Sequence, residues 1–245
     1  MRNSVFRFKK FDCSHDRSSM KIGVDSVLLG AWADVEGRTI LDVGTGCGVI
    51  ALMCAQRNEH AIIHAIDIDV DSVTEASENF TRSPWSERLS ARLSDFSELR
   101  GCAYDLIISN PPYFDAGVTN PGTPREKARH QNALSPAVLL SRGRSLLKTD
   151  GRIAMIVPAA QVPELIGYAT GNGLVLRRIC HVQGHPDAPV KRVLLEFLLC
   201  PNSDNLQQAD AADYPISDES LILEYSPGLP TEAHRLLCRD FYLKF

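Results

Sequence analysis

The sequence predicts an α/β fold: a mostly parallel sheet of seven strands, helices on both faces, and an antiparallel hairpin at one edge. Three observations carry that expectation. From residue 38 onward, short apolar runs alternate with segments of helical spacing, as in strands linked by crossover helices. The first of these strands runs into a glycine-rich loop, LDVGTGCG, which opens a helix. The last two strands are joined by a Gly/Pro loop with no helix between them, so they run antiparallel.

The elements follow in order. VDSVLLGAWA (24–33) has helical spacing, with Asp25 as its candidate cap. The stretch before it is basic and aromatic, with Phe6, Phe8 and Phe11. Residues 1–37 are therefore expected to form a cover segment and helix, and 38–245 the main domain of a single-domain protein. RTILDV (38–43) is the first strand of the alternation, GVIALMCAQR the helix after the glycine loop, and AIIHAID (61–67) the second strand. VDSVTEASENF (70–80) is a helix with its acids outward. LSARLSDF (89–96) and YDLIIS (104–109) are the third and fourth strands. SPAVLLSRGRSLL (135–147) is a helix with Ser135 as N-cap and Pro136 at its first position. GRIAMIVP (151–158), the helix VPELIGYATGNG, and the strands VLRRICHV (175–182) and VKRVLLEFLL (190–199) complete the sheet. Residues 201–216 are polar and expected to be loose.

With 245 residues, 44% of them hydrophobic, the chain can bury one sizeable core. No apolar run approaches the roughly 20 residues that cross a bilayer, and MRNSVFRFKKFD has no apolar signal region. The seven cysteines are scattered, with no C-x-x-C pair, which argues against a disulfide framework or zinc site. The expectation is a cytoplasmic monomer with no membrane partner and no metal. Net charge is −4, but it is unevenly spread. Residues 1–21 and 125–152 are basic, while acid gathers in 59–78 and 204–224. Such a bipolar chain can hold a polyanion on one face.

The glycine loop sits where parallel sheets bind nucleotide-type ligands, at the carboxyl ends of the strands. Gly44, Gly46 and Gly48 permit tight turning and close backbone approach. The spacing G-x-G-x-G lacks the third glycine of the dinucleotide fingerprint, and no G-K-[ST] follows. A ligand without a pyrophosphate fits, and S-adenosylmethionine is one whose carboxylate suits the helix N-terminus. Asp42 ends the first strand and is a candidate for the methionine ammonium, directly or through water. Asp67 ends the second and can accept from ribose hydroxyls, with Asp69 as a nearby competitor. Asp95 follows the third and can accept from an adenine amino group.

The fourth strand stops at SNPPYF (109–114). Asn110 is pushed to extended backbone by the proline after it, and Pro111 and Pro112 fix their own φ and bring no N–H. The rigid turn presents the Asn110 amide, the Pro111 carbonyl and the Tyr113 ring. An exocyclic amino group is a poor nucleophile, because its lone pair is delocalised into the ring. Two acceptors for its hydrogens and a methyl donor held in line meet that need, by positioning and electrostatics. Tyr113 can stack on an extracted base. No strong general base is required, since the proton becomes acidic as the methyl arrives.

The pattern [DN]-P-P-[YFW] in this position resembles the signature of amino methyltransferases acting on adenine N6, cytosine N4, guanine N2 or a glutamine amide. Taken together, FRFKKFDCSHDRSSMKIGVDSVLLGAWA, LDVGTGCGVIALMCAQR, SPWSERL, SNPPYF and RDFYLKF resemble the bacterial tRNA1(Val) (adenine-N6)-methyltransferase family over nearly the whole chain. The resemblance implies a Rossmann-like, S-adenosylmethionine-dependent methyltransferase acting on adenosine 37 of one valine tRNA, with S-adenosylhomocysteine as product. It implies cofactor contacts at Asp42, Gly44, Asp67 and Asp95, with Gly46, Gly48 and Asn110 also candidates, and a target-base site at Asn110, Pro111, Pro112 and Tyr113. Glutamate is common at the second-strand acid, and this chain has Asp67 there. Candidate RNA-binding cations are Lys9, Lys10, Arg17, Lys21, Lys127, Arg129, Lys191 and Arg192. His15 and Asp16 are read as structural or lid residues. The alternatives are another acceptor (rRNA guanine N2, DNA adenine or a protein glutamine amide) and a non-catalytic S-adenosylmethionine- or RNA-binding protein.

Overall fold

The computed structural model describes residues 4–18, 20–101, 103–112, 134–200 and 215–245. A hairpin of β1 (Val5–Arg7) and β2 (Asp12–Ser14) leads to α1 (Val24–Trp32). The alternation then runs β3 (Thr39–Val43), α2 (Val49–Arg57), β4 (Ile62–Asp67), α3 (Val70–Arg82), β5 (Leu89–Leu93) and β6 (Tyr104–Ser109). It continues with α4 (Pro136–Arg144), β7 (Leu147–Pro158), α5 (Val162–Gly171), β8 (Leu174–Gln183), β9 (Arg192–Leu199) and β10 (Ser217–Ile222). β11 (Glu224–Ser226), β12 (Leu229–Pro230) and α6 (Glu232–Cys238) close the chain.

The main sheet has eight strands in the order β10-β8-β9-β7-β6-β3-β4-β5. All pairings from β5 through β7 are parallel, and β9 is antiparallel to both β7 and β8. The expected antiparallel hairpin is therefore present, but it does not end the sheet. β10 lies outside it, parallel to β8. That strand, SDESLI, carries one buried apolar residue, Leu221, so its sequence has little strand pattern of its own. Backbone pairing with β8 supplies what periodicity does not.

Successive residues of the central strands serve opposite faces. Ile40, Leu106 and Ala154 join α1 and α2 in one core, with Leu28, Leu29 and Met53. Leu41, Ile107 and Ile153 join α4 and α5 in the other, with Leu139, Leu140 and Phe197. Each large side chain buried there contributes about 1.5–3 kcal/mol relative to exposure. Because β4 and β6 flank β3 on opposite sides, the chain reverses direction across the sheet at β3/β6. This switch point opens a crevice beyond the strands' carboxyl ends.

Two local expectations are corrected. Asp25 does not cap α1: the N-cap is Gly23, with no side-chain bond, and Asp25 instead pairs with Arg192 at 2.9 Å. The acids of α3 are not all outward. Glu75 is 1% exposed and accepts from the main-chain amides of Asp16 (2.8 Å), Arg17 (3.0 Å) and Ser18 (2.9 Å). Ser135 does cap α4, accepting from the Val138 amide at 3.2 Å.

Candidate active site

The glycine loop is built by its own backbone and by two carboxylates. The amides of Gly44 and Thr45 both donate to the Ile66 carbonyl, at 2.9 and 3.1 Å, which fastens the loop to β4. The Gly46 amide donates to Asp67 Oδ2 at 2.9 Å. Gly48 opens α2 in the left-handed region, φ 85°, where a Cβ would meet the Phe80 ring at 2.5 Å. Gly46 is also left-handed, at φ 54°, but nothing lies within 4 Å of its would-be Cβ. The backbone conformation alone demands glycine at 46, and the loop faces open space there.

Asp42 lies under this loop. It is fully buried, and its Oδ2 accepts from Thr45 Oγ1 at 2.6 Å and from the Ala51 amide at 3.2 Å. Oδ1 is buried without a hydrogen-bond partner among the described residues. Burial pushes the carboxyl up to about 7, against the lowering pull of Thr45 and Ala51. Its observed contacts therefore organise the loop. Its unsatisfied oxygen is the feature that suits a cation such as a methionine ammonium.

Asp67 ends β4 with its carboxylate spread between the Gly46 amide and the Asp69 amide, the latter donating to Oδ1 at 3.0 Å. Burial raises its pKa, the amide bonds opposing. The Ile68 amide also bonds this carboxylate; of its about four acceptor positions, capacity remains for a diol hydroxyl. Asp69 is committed elsewhere: its Oδ2 accepts from the amide and hydroxyl of Ser72, at 3.0 and 2.7 Å, capping α3. Asp95 stands two residues beyond β5 and accepts from the Ser97 amide at 2.8 Å. The loop, Asp67 and Asp95 stand in one row at or just beyond the carboxyl ends of β3, β4 and β5. That donor set fits S-adenosylmethionine.

β6 leaves the sheet on the other side of the switch point. Ser109 is fully buried, and its hydroxyl donates to the Val43 carbonyl at 2.8 Å. The exit of β6 is thereby locked to the end of β3. Asn110 follows, half-buried, its Nδ2 donating to Ser26 Oγ of α1 at 3.0 Å. Pro111 is buried and Pro112 half-buried. Tyr113, Lys127 and Arg129 lie outside the described residues.

The remaining cations divide by what holds them. Lys9 Nζ donates to the main-chain oxygens of Arg239 and Phe245, at 2.5 and 2.7 Å, and so ties the β1–β2 turn to the C-terminal segment. Lys10 is exposed beside it. Arg17 pairs with Glu78 at 2.7 Å, and Lys21 donates to the His15 carbonyl at 2.5 Å. His15 Nδ1 accepts from the Ile22 amide at 3.3 Å, closing the 15–22 loop as a structural residue. Arg192 begins β9 opposite Pro158, the last residue of β7, and Lys191 immediately precedes it, so both stand on the crevice edge. Lys191 is exposed; Arg192 is held by Asp25.

Four polar residues near the site have no sequence signature: Ser26, Glu75, Asn79 and Ser109. Asn79 is fully buried, donating to the carbonyls of Ser14 and Cys47, each at 2.8 Å, and so joins the N-terminal hairpin to the glycine loop. The i, i+4 spacing of Glu75 and Asn79 was the available clue that one polar face of α3 is internal.

Comparisons agree with this geometry. Residues 18–166 match the family model described as Methyltransferase small domain. The chain is 43% identical over 248 residues to a tRNA1(Val) (adenine(37)-N6)-methyltransferase of Parabacteroides distasonis, covering 100% of both chains. A protein of the same description from Vibrio vulnificus is 36% identical over 249 residues, covering 100% of this chain and 98% of that one. Among solved structures, a predicted O-methyltransferase from Agrobacterium tumefaciens aligns with TM-score 0.65 at 18% identity, over 89% of this chain and 96% of that one. The last likeness is one of fold alone.

Proposed function

The chain belongs to the tRNA1(Val) (adenine(37)-N6)-methyltransferase family, within the small-domain methyltransferases, and on that premise we propose how its residues carry out the reaction. It is an S-adenosylmethionine-dependent enzyme that methylates N6 of adenosine 37 in a valine tRNA. The observation that carries the reading is Asn110, oriented by Ser26 and followed by two prolines, across the β3/β6 switch point from the glycine loop.

S-adenosylmethionine supplies an electrophilic sulfonium methyl. On the protein side, Asp67 would accept from the ribose hydroxyls and Asp95 from the adenine amino group, and the Gly44–Gly48 loop would make room for the methionine end. Asn110 Oδ1 and the Pro111 carbonyl accept the two N6 hydrogens. They draw the nitrogen lone pair out of conjugation and aim it along the line of transfer. Tyr113 stacks on the base. N6 would form its bond to the methyl as the S–CH3 bond breaks, leaving S-adenosylhomocysteine as the neutral thioether, and would lose one proton to solvent, which needs no dedicated base. Residues 1–37 act as the cover that holds Asn110 from the α1 side.

Lys191 and Arg192, at the crevice edge, are the proposed contacts to tRNA phosphates, with Lys21 of the N-terminal segment a further candidate, while Lys9 is a structural tie. A cytoplasmic location suits this substrate. Among the described residues no helix is long and apolar enough to cross a membrane.

The test is incubation with labelled S-adenosylmethionine and total tRNA lacking the modification, followed by nucleoside mapping. Label is expected as N6-methyladenosine in valine tRNA. Label in protein, or in another nucleoside, would overturn the assignment.

A further inference from the structure

We infer that Ser26 is a positioning residue for methyl transfer, holding the Asn110 amide in the orientation that presents Oδ1 to the target amino group. The inference rests on the role given to Asn110 above. Ser26 Oγ accepts from Asn110 Nδ2 at 3.0 Å, across 84 residues of sequence. An asparagine amide is broad and two-fold in its terminal torsion, so without a partner its nitrogen and oxygen exchange readily. Only the oxygen can accept an amino hydrogen. Serine Oγ can donate as well as accept; with Nδ2 as the donor to it here, the bond holds the amide plane against α1 with Oδ1 directed away from Ser26.

The acceptor is itself well held. Val27, Leu28, Leu29 and Trp32 bury α1 against the sheet. One residue before Ser26, Asp25 pairs with Arg192 on the crevice edge. At the other end of the helix, the Asp34 amide donates to buried Glu196 at 3.0 Å. Ser26 is therefore fixed relative to both β6 and β9, and the N-terminal helix completes the site rather than only covering it.

Ser26→Ala removes the acceptor, and Ser26→Thr keeps it. Turnover at saturating cofactor, KM for tRNA, cofactor affinity by calorimetry and melting temperature are measured for both. For Ser26→Ala, kcat is expected to fall about 3- to 10-fold, the worth of one neutral hydrogen bond, while KM and cofactor affinity stay within about twofold. Ser26→Thr is expected to restore kcat. Unchanged kcat in Ser26→Ala overturns the inference. So does a fall in kcat that threonine does not recover, or one accompanied by equal loss of cofactor affinity and thermal stability, since those mark a general structural role. Asn110→Ala run in parallel separates the two readings. If it is inactive and Ser26→Ala is normal, only the Ser26 assignment fails. If Asn110→Ala is fully active, the role of Asn110 fails first.

Discussion

Asn110 concentrates the chemistry in one side chain, so its removal should separate rate from binding. Asn110→Ala is expected to lower kcat by about 100-fold or more, the scale of losing one preorganised polar group, with cofactor affinity changed only a few-fold. Radiolabel transfer and calorimetry check the two halves. The choice between Asp67 and Asp69 is equally testable. Asp67→Ala should weaken cofactor binding, because it strips the acceptor at the end of β4 and frees the Gly46 amide. Asp69→Ala should cost about 1 kcal/mol of stability as a lost helix cap and leave affinity nearly intact. Asp42 yields a pH signature. Burial holds its folded pKa at about 7, above the ordinary aspartate value of about 3.9, so the folded protein binds the extra proton and its contribution is full below about 4. Stability is lost as pH rises from there to about 7. Asp42→Asn, which cannot ionise, should therefore gain on the wild type over that window in thermal melts of the cofactor-free protein.

At the scale of elements, α3 does more than cover β4 and β5. Glu75 gathers three consecutive amides of the N-terminal segment, and Asn79 reaches from that segment to Cys47 of the glycine loop. Burial alone would raise the Glu75 pKa, but the amides from Arg17, Ser18 and Asp16 outweigh it and the net shift is downward. A lowered carboxylate stabilises above its unfolded pKa, and that contribution is lost as pH falls through the folded value. Glu75→Gln should thus destabilise by about 1–3 kcal/mol near neutrality, the cost of poorly satisfied buried donors. The gap from wild type should narrow in acid. Hydrogen exchange should show residues 14–18 loosening first. Equal exchange in the two proteins would remove the anchoring role.

For the whole molecule, a net charge of −4 conceals a crevice edge that carries Lys191 and Arg192. If these meet phosphates, tRNA affinity should fall steeply with salt, and Lys191→Ala should flatten the slope of log K against log salt by about 1. A flat response in the wild type would argue against a polyanionic substrate. Much of this molecule was readable beforehand because it is written locally. The strand–helix alternation, the glycines at 44, 46 and 48, the acids at the ends of β3 and β4 and just after β5, and the Asn-Pro-Pro turn each lie within one short stretch. Their meaning follows from backbone geometry and strand polarity, which sequence specifies directly. Other features depend on residues far apart in the chain. β10 is a strand because β8 offers it an edge. Asp25 is an ion-pair partner because Arg192 arrives 167 residues later, and the Asn110 amide is oriented by a serine 84 residues earlier. Glu75 is internal because three amides meet it. A buried polar group is defined by its partner, and the partner is known only once the chain has folded.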